Sequence, residues 1–302
     1  MTRRAASLAL VLVLALGGCS NLLERGADVV GKVDSTTQKA DAIVKKAEVV
    51  RSTFADINEE EEYYIGRSVA ALVLGMYPTV KNTALTAYIN TMGTAIAYAS
   101  DRPETFAGYH FIVLDTDELN AMAAPGGFVF ITKGILTRCR NEEMIASILA
   151  HEIGHVAAKH GLQSIKKSRL VDAFKLLGTE AAKKYGPQEL AQLTGIFEDV
   201  LGDVVGSLVE RGYDRKYEYE ADSLAVKFSA KTGYNPQGLA DFLKTMAGEK
   251  PAGGVKGWFK THPGAEDRLG KVEAAISGLG KNAPATLDVR TKRFTQAVKG
   301  LK

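Results

Sequence analysis

The chain has 302 residues, of which 46% are hydrophobic and 24% charged, an ordinary globular composition that allows one large core or two small ones. Its formal net charge is only +3 and its basic residues are scattered, which excludes an electrostatic case for nucleic-acid binding. No internal repeat is present, so a solenoid is excluded as well.

The N-terminal segment has the pattern of a removable export signal. After a basic start, residues 5–16 form an apolar stretch too short to span a bilayer comfortably. Residues 16–19 read Leu-Gly-Gly-Cys, which resembles the lipobox of bacterial lipoproteins; an ordinary secretory signal with a chance cysteine is the alternative. We predict a signal peptide at residues 1–18 and a lipid on Cys19. Ser20 stands where inner-membrane lipoproteins commonly carry Asp, so the predicted location is the periplasmic side of the outer membrane.

The next segment is predicted to be helical. Residues 19–57 have helical spacing with many small and charged residues, which predicts a tether and an amphipathic helix lying on the domain or, less favoured, on the membrane surface. Further helices are predicted over residues 59–77, before Pro78, and over residues 83–98. No segment after the signal has the apolar run of a transmembrane helix.

Two strands are predicted in the middle of the chain. Residues 109–114 alternate in polarity, and Phe128–Thr132 is β-branched and aromatic. Helical spacing then returns in residues 162–212 and in residues 215–232, which Gly233 closes. The elements are therefore predominantly helical, with few strands.

The strongest chemical signal is His-Glu-Ile-Gly-His at residues 151–155, inside an apolar stretch of helical period. Four residues advance about 400° on an α-helix, so His151 and His155 share a face and can bind one tetrahedral zinc ion. Glu152 lies beside that face, where it can act as general base for water. Asn141 is a suitable N-cap, and this helical context favours zinc over the alternative of two satisfied core histidines.

A zinc peptidase site needs a third protein ligand. His160 lies about half a turn round the helix from His151, so we interpret it as a helix-end or supporting residue. Glu218 and Asp222 are four residues apart on a predicted helix, which lets Glu218 bind zinc while Asp222 hydrogen-bonds a zinc-ligating histidine. Glu220 is predicted to point elsewhere. The alternative is a solvated acidic face that balances nearby basic residues.

With these motifs in place, the chain resembles the gluzincin metallopeptidases of family M48, the group of the CAAX prenyl protease and of bacterial periplasmic quality-control proteases. Four blocks in the family's order carry the resemblance: Asn120-Ala121 with residues 125–127, residues 151–155, residues 218–222, and His262-Pro263 with Arg268. The resemblance implies an α+β, predominantly helical, zincin-like domain over residues 58–302, with a small β-sheet flanking the active-site cleft. It also implies that His151, His155 and Glu218 bind one zinc ion and that Glu152 is the catalytic base.

The predicted function is therefore zinc-dependent cleavage of polypeptides. By resemblance, the substrates are misfolded or unassembled cell-envelope proteins, and the outer-membrane assembly machinery is a candidate partner. Phe128, Val129 and Phe130 are predicted to offer a sheet edge on which an extended peptide pairs. A non-proteolytic chaperone or assembly lipoprotein with the same fold is the alternative, which Glu152 disfavours because a purely structural zinc needs no base.

His262 is a further candidate catalytic residue. It precedes Pro263, which is predicted to take the first position of a helix, so the helix N-terminus would disfavour the imidazolium form. A neutral His262 can hydrogen-bond the oxyanion of the reaction or bind the metal's open position and shut the enzyme, as the resemblance suggests for some periplasmic members. Capping and packing alone is the third alternative. The glycine-rich residues 248–257 are predicted to form a loop that lets this segment move.

Overall fold

The structure is a computed structural model, which describes residues 57–165, 199–248, 258–280 and 283–301. Its elements are α1 (Glu59–Met76), α2 (Thr83–Ala99), β1 (His110–Leu114), β2 (Ala121–Ala124), β3 (Phe128–Thr132), α3 (Lys133–Arg138), α4 (Glu142–Ala157), α5 (His160–Gln163), α6 (Arg215–Thr232), α7 (Gln237–Gly248), α8 (Trp258–Thr261), α9 (Ala265–Gly278) and α10 (Asp288–Ala297), with a 3-10 turn at Pro125–Gly127 and a π-helical turn at Gly206–Arg211. Helices with one small sheet confirm the predicted α+β, predominantly helical class. None of the helices in these ranges has the length and apolarity that a bilayer crossing needs.

Several predictions concern residues outside these ranges. The signal peptide at residues 1–18, the anchor on Cys19 and all but the last residue of the 19–57 tether lie outside the described residues. The same holds for residues 166–198 of the predicted helical stretch and for residues 249–257 of the glycine-rich segment.

Most predicted helix ends agree with the structure to within one residue, because local side chains fix them. Asn58 and Glu61 form a reciprocal capping box at the start of α1, with hydrogen bonds of 2.9 and 3.0 Å. Asn82 caps α2 and Asn141 caps α4 by accepting a backbone N–H three residues on. Gly233 ends α6 with a φ of 87°, a left-handed conformation that glycine adopts without strain.

The sheet has the order β1-β3-β2, with β1 parallel and β2 antiparallel to β3. The predicted edge strand of Phe128, Val129 and Phe130 is therefore wrong, because β3 is central and both of its edges are paired. The second partner is β2, whose small residues give a weak strand signal. A tight turn at Pro125–Gly127, with Gly126 at a φ of 72°, lets β2 pair with β3 directly.

The sheet separates two hydrophobic clusters. Val129 and Ile131 face the larger cluster, which includes α2, α4, α6 and α7, whereas Phe128 and Phe130 face a smaller cluster with α1. Because β3 is buried on both faces, its sequence is a continuous apolar run rather than a polar alternation.

Helix α4 crosses α6 at very short range. A Cβ atom on Gly154 would lie 3.2 Å from the backbone oxygen of Ala221, so the glycine permits the close approach. Ala221 lies within one turn of Glu218 on α6. The crossing therefore brings that carboxylate next to the histidines of α4.

The N-terminal end of α4 is fixed by side chains from other helices. Glu142 is buried and accepts hydrogen bonds from Tyr88 at 2.7 Å, from Tyr234 at 3.0 Å and from Arg293 Nε at 2.7 Å. Burial by itself would raise the pKa of Glu142, but these hydrogen bonds outweigh it and lower the pKa. The helix that carries both histidines is thus tied to α2 and α10.

Candidate metal centre

Four buried side chains present one ligand atom each, all within 4.8 Å of one another: His151, His155, Glu218 and His262. The Nε2 atoms of His151 and His155 are 3.1 Å apart, as their spacing of one helical turn predicts. The Glu218 carboxylate on α6 lies 3.6 Å from His151 Nε2 and 3.5 Å from His155 Nε2. The structure thus brings together the residues that the sequence proposed as ligands.

These residues fit a metal ion. Two imidazoles and one carboxylate form a donor set that suits zinc. Glu218 is fully buried, and although Arg268 Nη1 lies 2.8 Å from its Oε2, neither carboxylate oxygen accepts a hydrogen bond of regular geometry from a described residue. Burial raises the pKa of Glu218 well above its usual range. A bound cation offsets the free-energy cost of such a buried carboxylate.

Asp222 and Arg268 orient the first histidine. Asp222 Oδ1 lies 2.9 Å from His151 Nδ1, and Arg268 donates two hydrogen bonds of 2.8 Å to the same carboxylate. Burial would raise the pKa of Asp222, but the charge of Arg268 and the hydrogen bonds hold it well below its usual range. Asp222 thus stays an acceptor, so His151 carries its proton on Nδ1 and directs the Nε2 lone pair into the cluster. The role of Arg268 was not predicted from the sequence.

Glu152 lies beside the four donors. It is fully buried, its Oε1 is 3.5 Å from His262 Nε2, and neither of its oxygens accepts a hydrogen bond from a described residue. Burial raises the pKa of Glu152 to about 7, although His151 and Arg268 act in the opposite direction. A carboxylate with that pKa can exchange a proton near neutral pH.

His262 lies in a setting that differs from the predicted one. Its N–H donates to the Trp258 backbone oxygen at 2.8 Å, which places it at the C-terminal end of α8. Helix α9 begins only at Ala265, after Gly264, so Pro263 is not at a first helical position and the predicted helix N-terminus is wrong. Burial, the largest cause, lowers the pKa of His262 well below its usual range.

Three residues hold the His262 ring. Trp258 stacks on it with ring centroids 3.8 Å apart and an interplanar angle of 7°. Thr261 Oγ1 lies 3.0 Å from His262 Nδ1 and donates to Asn120 Oδ1 at 2.9 Å. Asn120 immediately precedes β2, so the ring is linked to the sheet.

Tyr213 joins the site to the edge strand β2. Its ring stacks on His155 with centroids 4.4 Å apart, and its hydroxyl donates to the backbone oxygen of Ala123 at 3.2 Å. The outer edge of β1 is covered by the Asn90 side chain. Its amide oxygen accepts a hydrogen bond from the backbone N–H of Phe111 at 3.2 Å, and its amide nitrogen donates one to the backbone oxygen of Phe111 at 2.8 Å. The sheet edge that faces the site is therefore that of β2.

His160 lies outside the metal cluster and contacts the ligand candidate His155, although the chain does not reach it as one continuous helix. Helix α4 ends at Ala157, and Lys159 has a left-handed φ of 57°. This reversal brings His160 Nδ1 to 2.9 Å from His155 Nδ1 and His160 Nε2 to 3.2 Å from Glu220 Oε2. The sequence analysis missed the link to Glu220, because nothing in the local sequence predicts a left-handed backbone conformation at Lys159.

Comparison with known proteins agrees with this geometry. The sequence model of Peptidase family M48 matches residues 83–276. The chain is 26% identical over 214 residues to the beta-barrel assembly-enhancing protease of Escherichia coli (strain K12), a match that covers 69% of this chain and 42% of that protein.

Two further relatives are similar over shorter regions. The mitochondrial metalloendopeptidase OMA1 of Schizosaccharomyces pombe is 28% identical over 51% of this chain and 42% of its own length. The metalloprotease YcaL of Escherichia coli (strain K12) is 27% identical over 56% of this chain and 62% of its own. The chain thus spans less than two thirds of the length of each of these relatives. The family match covers more than half of the chain and includes all four residues of the cluster, so the chain belongs to peptidase family M48.

Proposed function

We propose that this chain is a zinc-dependent endopeptidase in which His151, His155 and Glu218 bind the metal and Glu152 is the general base. The convergence of the three donors beside a buried Glu152 without hydrogen-bond donors carries this proposal. Family membership and metalloendopeptidase relatives support it. When bound, zinc supplies a Lewis acid that polarises the scissile carbonyl and lowers the pKa of water.

Glu152 carries out the proton transfers. Its carboxylate takes a proton from the attacking water and later delivers it to the leaving amine. Burial raises the pKa of Glu152 in the metal-free chain, and the charge of a bound metal would lower it again, so the carboxylate form that accepts the proton would be present near neutral pH. Since neither oxygen is engaged by a described residue, the carboxylate is available for both transfers.

We propose that His262 occupies a fourth ligand position and so blocks the site in this conformation. The Thr261 hydroxyl donates to a carbonyl oxygen, that of the Asn120 side chain or of the Trp258 backbone, so its oxygen accepts a hydrogen bond from His262 Nδ1–H. The Nε2 atom is then left with a lone pair among the other ligand atoms. A lone pair suits a fourth metal ligand, whereas an oxyanion needs a donor.

The proposed substrate is an extended polypeptide that pairs with β2, Ala121–Ala124. Both edges of β3 are occupied and Asn90 covers the outer edge of β1. Strand β2 lies next to the ligand His155 but is buried in this conformation, so a peptide that pairs with it would displace the Tyr213 hydroxyl from the backbone oxygen of Ala123. Main-chain pairing tolerates many sequences. This mode of binding suits misfolded or unassembled proteins better than one particular motif.

We place this activity in the cell envelope. The first relative named above is a beta-barrel assembly-enhancing protease, and the sequence around Cys19 resembles a lipobox. The proposal is an enzyme anchored through Cys19 to the outer membrane, acting in envelope protein quality control next to the assembly machinery. Mass spectrometry of the mature chain tests the anchor: we expect a lipidated Cys19, and an unmodified N-terminus elsewhere in a soluble fraction would contradict it.

A non-proteolytic assembly lipoprotein is the second candidate. The observation that favours it is the fourth buried donor, His262, because a closed ligand set is typical of structural zinc. Metal analysis combined with casein cleavage separates the two. If the chain is an endopeptidase, we expect one zinc per chain and casein cleavage that a chelator abolishes and added Zn²⁺ restores. Zinc binding without cleavage by wild type or by His262→Ala would favour the assembly protein.

A further inference from the structure

A chain of three side chains leads from the metal cluster to the protein surface. His155 Nδ1 lies 2.9 Å from His160 Nδ1, and His160 Nε2 lies 3.2 Å from Glu220 Oε2. His155 and His160 are fully buried, whereas the Glu220 side chain is 57% exposed. None of these contacts is used by the chemistry assigned to Glu152.

The direction of these hydrogen bonds follows from the exposed end. A carboxylate oxygen accepts hydrogen bonds, so His160 carries its proton on Nε2 and donates a hydrogen bond to Glu220 Oε2. His160 Nδ1 then has a lone pair and accepts a hydrogen bond from His155 Nδ1–H. His155 therefore has a lone pair on Nε2, the atom that lies 3.5 Å from Glu218 Oε1 in the cluster. This arrangement of protons satisfies both hydrogen bonds of the chain, from His155 to His160 and from His160 to Glu220.

Backbone and packing hold this chain in place. The left-handed conformation of Lys159 turns His160 back towards His155. The His160 ring packs against Tyr217 with centroids 4.5 Å apart, and Tyr213 stacks on the other histidine. The rotation of the His155 ring is thus restricted by contacts on both its face and its Nδ1 edge.

We propose that His160 and Glu220 are positioning residues that orient His155 and keep its Nε2 lone pair directed at the metal; this rests on the proposed zinc site. Helix α6 then supports both histidines of α4, with Asp222 acting directly on His151 and Glu220 acting through His160. The Asp222 side chain is buried, whereas the Glu220 side chain reaches solvent. The sequence predicted only that Glu220 points elsewhere; in this proposal it acts on the site through His160.

The test measures zinc affinity of the metal-free full chain by competition with a chromogenic chelator. We expect His160→Phe and Glu220→Ala to weaken Zn²⁺ binding by about 10–100-fold, the usual effect of losing a residue that supports a metal ligand. Glu220→Gln, whose amide oxygen can still accept from His160, should retain most of the affinity. The matched control is Glu273→Ala, which removes an exposed carboxylate on α9 that pairs with Lys244 at 2.6 Å.

A second readout separates orientation from general stability. With Co²⁺ in place of zinc, the visible absorption bands should change in His160→Phe and Glu220→Ala but not in Glu273→Ala. If His160→Phe does not fold, the surface variant Glu220→Ala still decides the matter. Wild-type affinity and spectra in Glu220→Ala would overturn the inference, whereas a wild-type chain that binds no zinc would overturn the proposed function on which it rests.

Discussion

Arg268 donates two hydrogen bonds of 2.8 Å to the carboxylate of Asp222, and both side chains are buried. A third guanidinium nitrogen of Arg268 lies 2.8 Å from Glu218 Oε2. One cation thus lies against two buried acidic side chains, and its charge holds the pKa of Asp222 below its usual range. The fixed fork geometry of arginine suits this bidentate contact, which an ammonium group cannot reproduce.

Removing Arg268 should strongly destabilise the metal-free protein. Arg268→Leu leaves the Asp222 carboxylate buried without its cation, and breaking a buried pair in this way typically costs about 3–5 kcal/mol. Arg268→Lys keeps the charge but not the fork and should lie between wild type and Arg268→Leu. Chemical denaturation measures the free energies of unfolding, with the exposed Lys244→Ala as control. An Arg268→Leu protein as stable as wild type would show that Asp222 needs no counter-charge.

Two glycines of α1 should respond to alanine in opposite directions. A Cβ on Gly66 would lie 1.8 Å from the Pro125 backbone oxygen, whereas one on Gly75 meets nothing within 4 Å. Gly66→Ala must displace the turn between β2 and β3 and should cost about 1–3 kcal/mol or more. Gly75→Ala should be neutral or stabilise by up to about 1 kcal/mol. Thermal unfolding of the pair checks this, and equal effects would contradict the close packing of α1 on the turn.

Stability should fall in acid partly through Glu142. Its pKa is lower in the folded chain than in the unfolded chain, because Arg293, Tyr88 and Tyr234 outweigh the effect of burial. The resulting stabilisation is fully present above the unfolded pKa of about 4.3 and is lost as the pH falls through the folded pKa. Glu142→Gln should therefore be less stable than wild type at pH 7 and lose less stability between pH 5 and pH 3. Parallel pH profiles for the two proteins would contradict this assignment.

The variant His262→Ala tests whether His262 closes the site. If its Nε2 is a fourth ligand, His262→Ala should retain zinc and cleave casein faster than wild type. Thr261→Val, which removes the hydroxyl beside Nδ1, should change the rate in the same direction, and Thr261→Ser should not. Trp258 is the single tryptophan of the chain and stacks on His262, so its fluorescence reports whether the ring has moved. A rate loss of about 10²–10³ in His262→Ala would identify an oxyanion donor instead.

Local signals made part of this structure predictable. The cap at Asn141 and the spacing of His151 and His155 depend only on neighbours along one helix, and the i,i+4 pair of Glu218 and Asp222 does so as well. The family resemblance added the expectation that these two helices meet.

The missed features all depend on contacts that sequence spacing does not encode. The central position of β3 depends on pairing with β2, whose small residues resemble a flexible loop. The link from His160 to Glu220 depends on a left-handed lysine, a conformation rare for residues other than glycine. The setting of His262 depends on where α8 ends and α9 begins.

The central claim is that Glu152 is the base of a zinc peptidase, and Glu152→Gln tests it most directly. The change keeps the shape of the side chain but removes the ability to accept a proton. Zinc content, circular dichroism and casein cleavage should be measured on the same preparation as wild type. We expect one zinc per chain, an unchanged fold and almost complete loss of cleavage. Substantial cleavage by a zinc-replete Glu152→Gln protein would contradict the account.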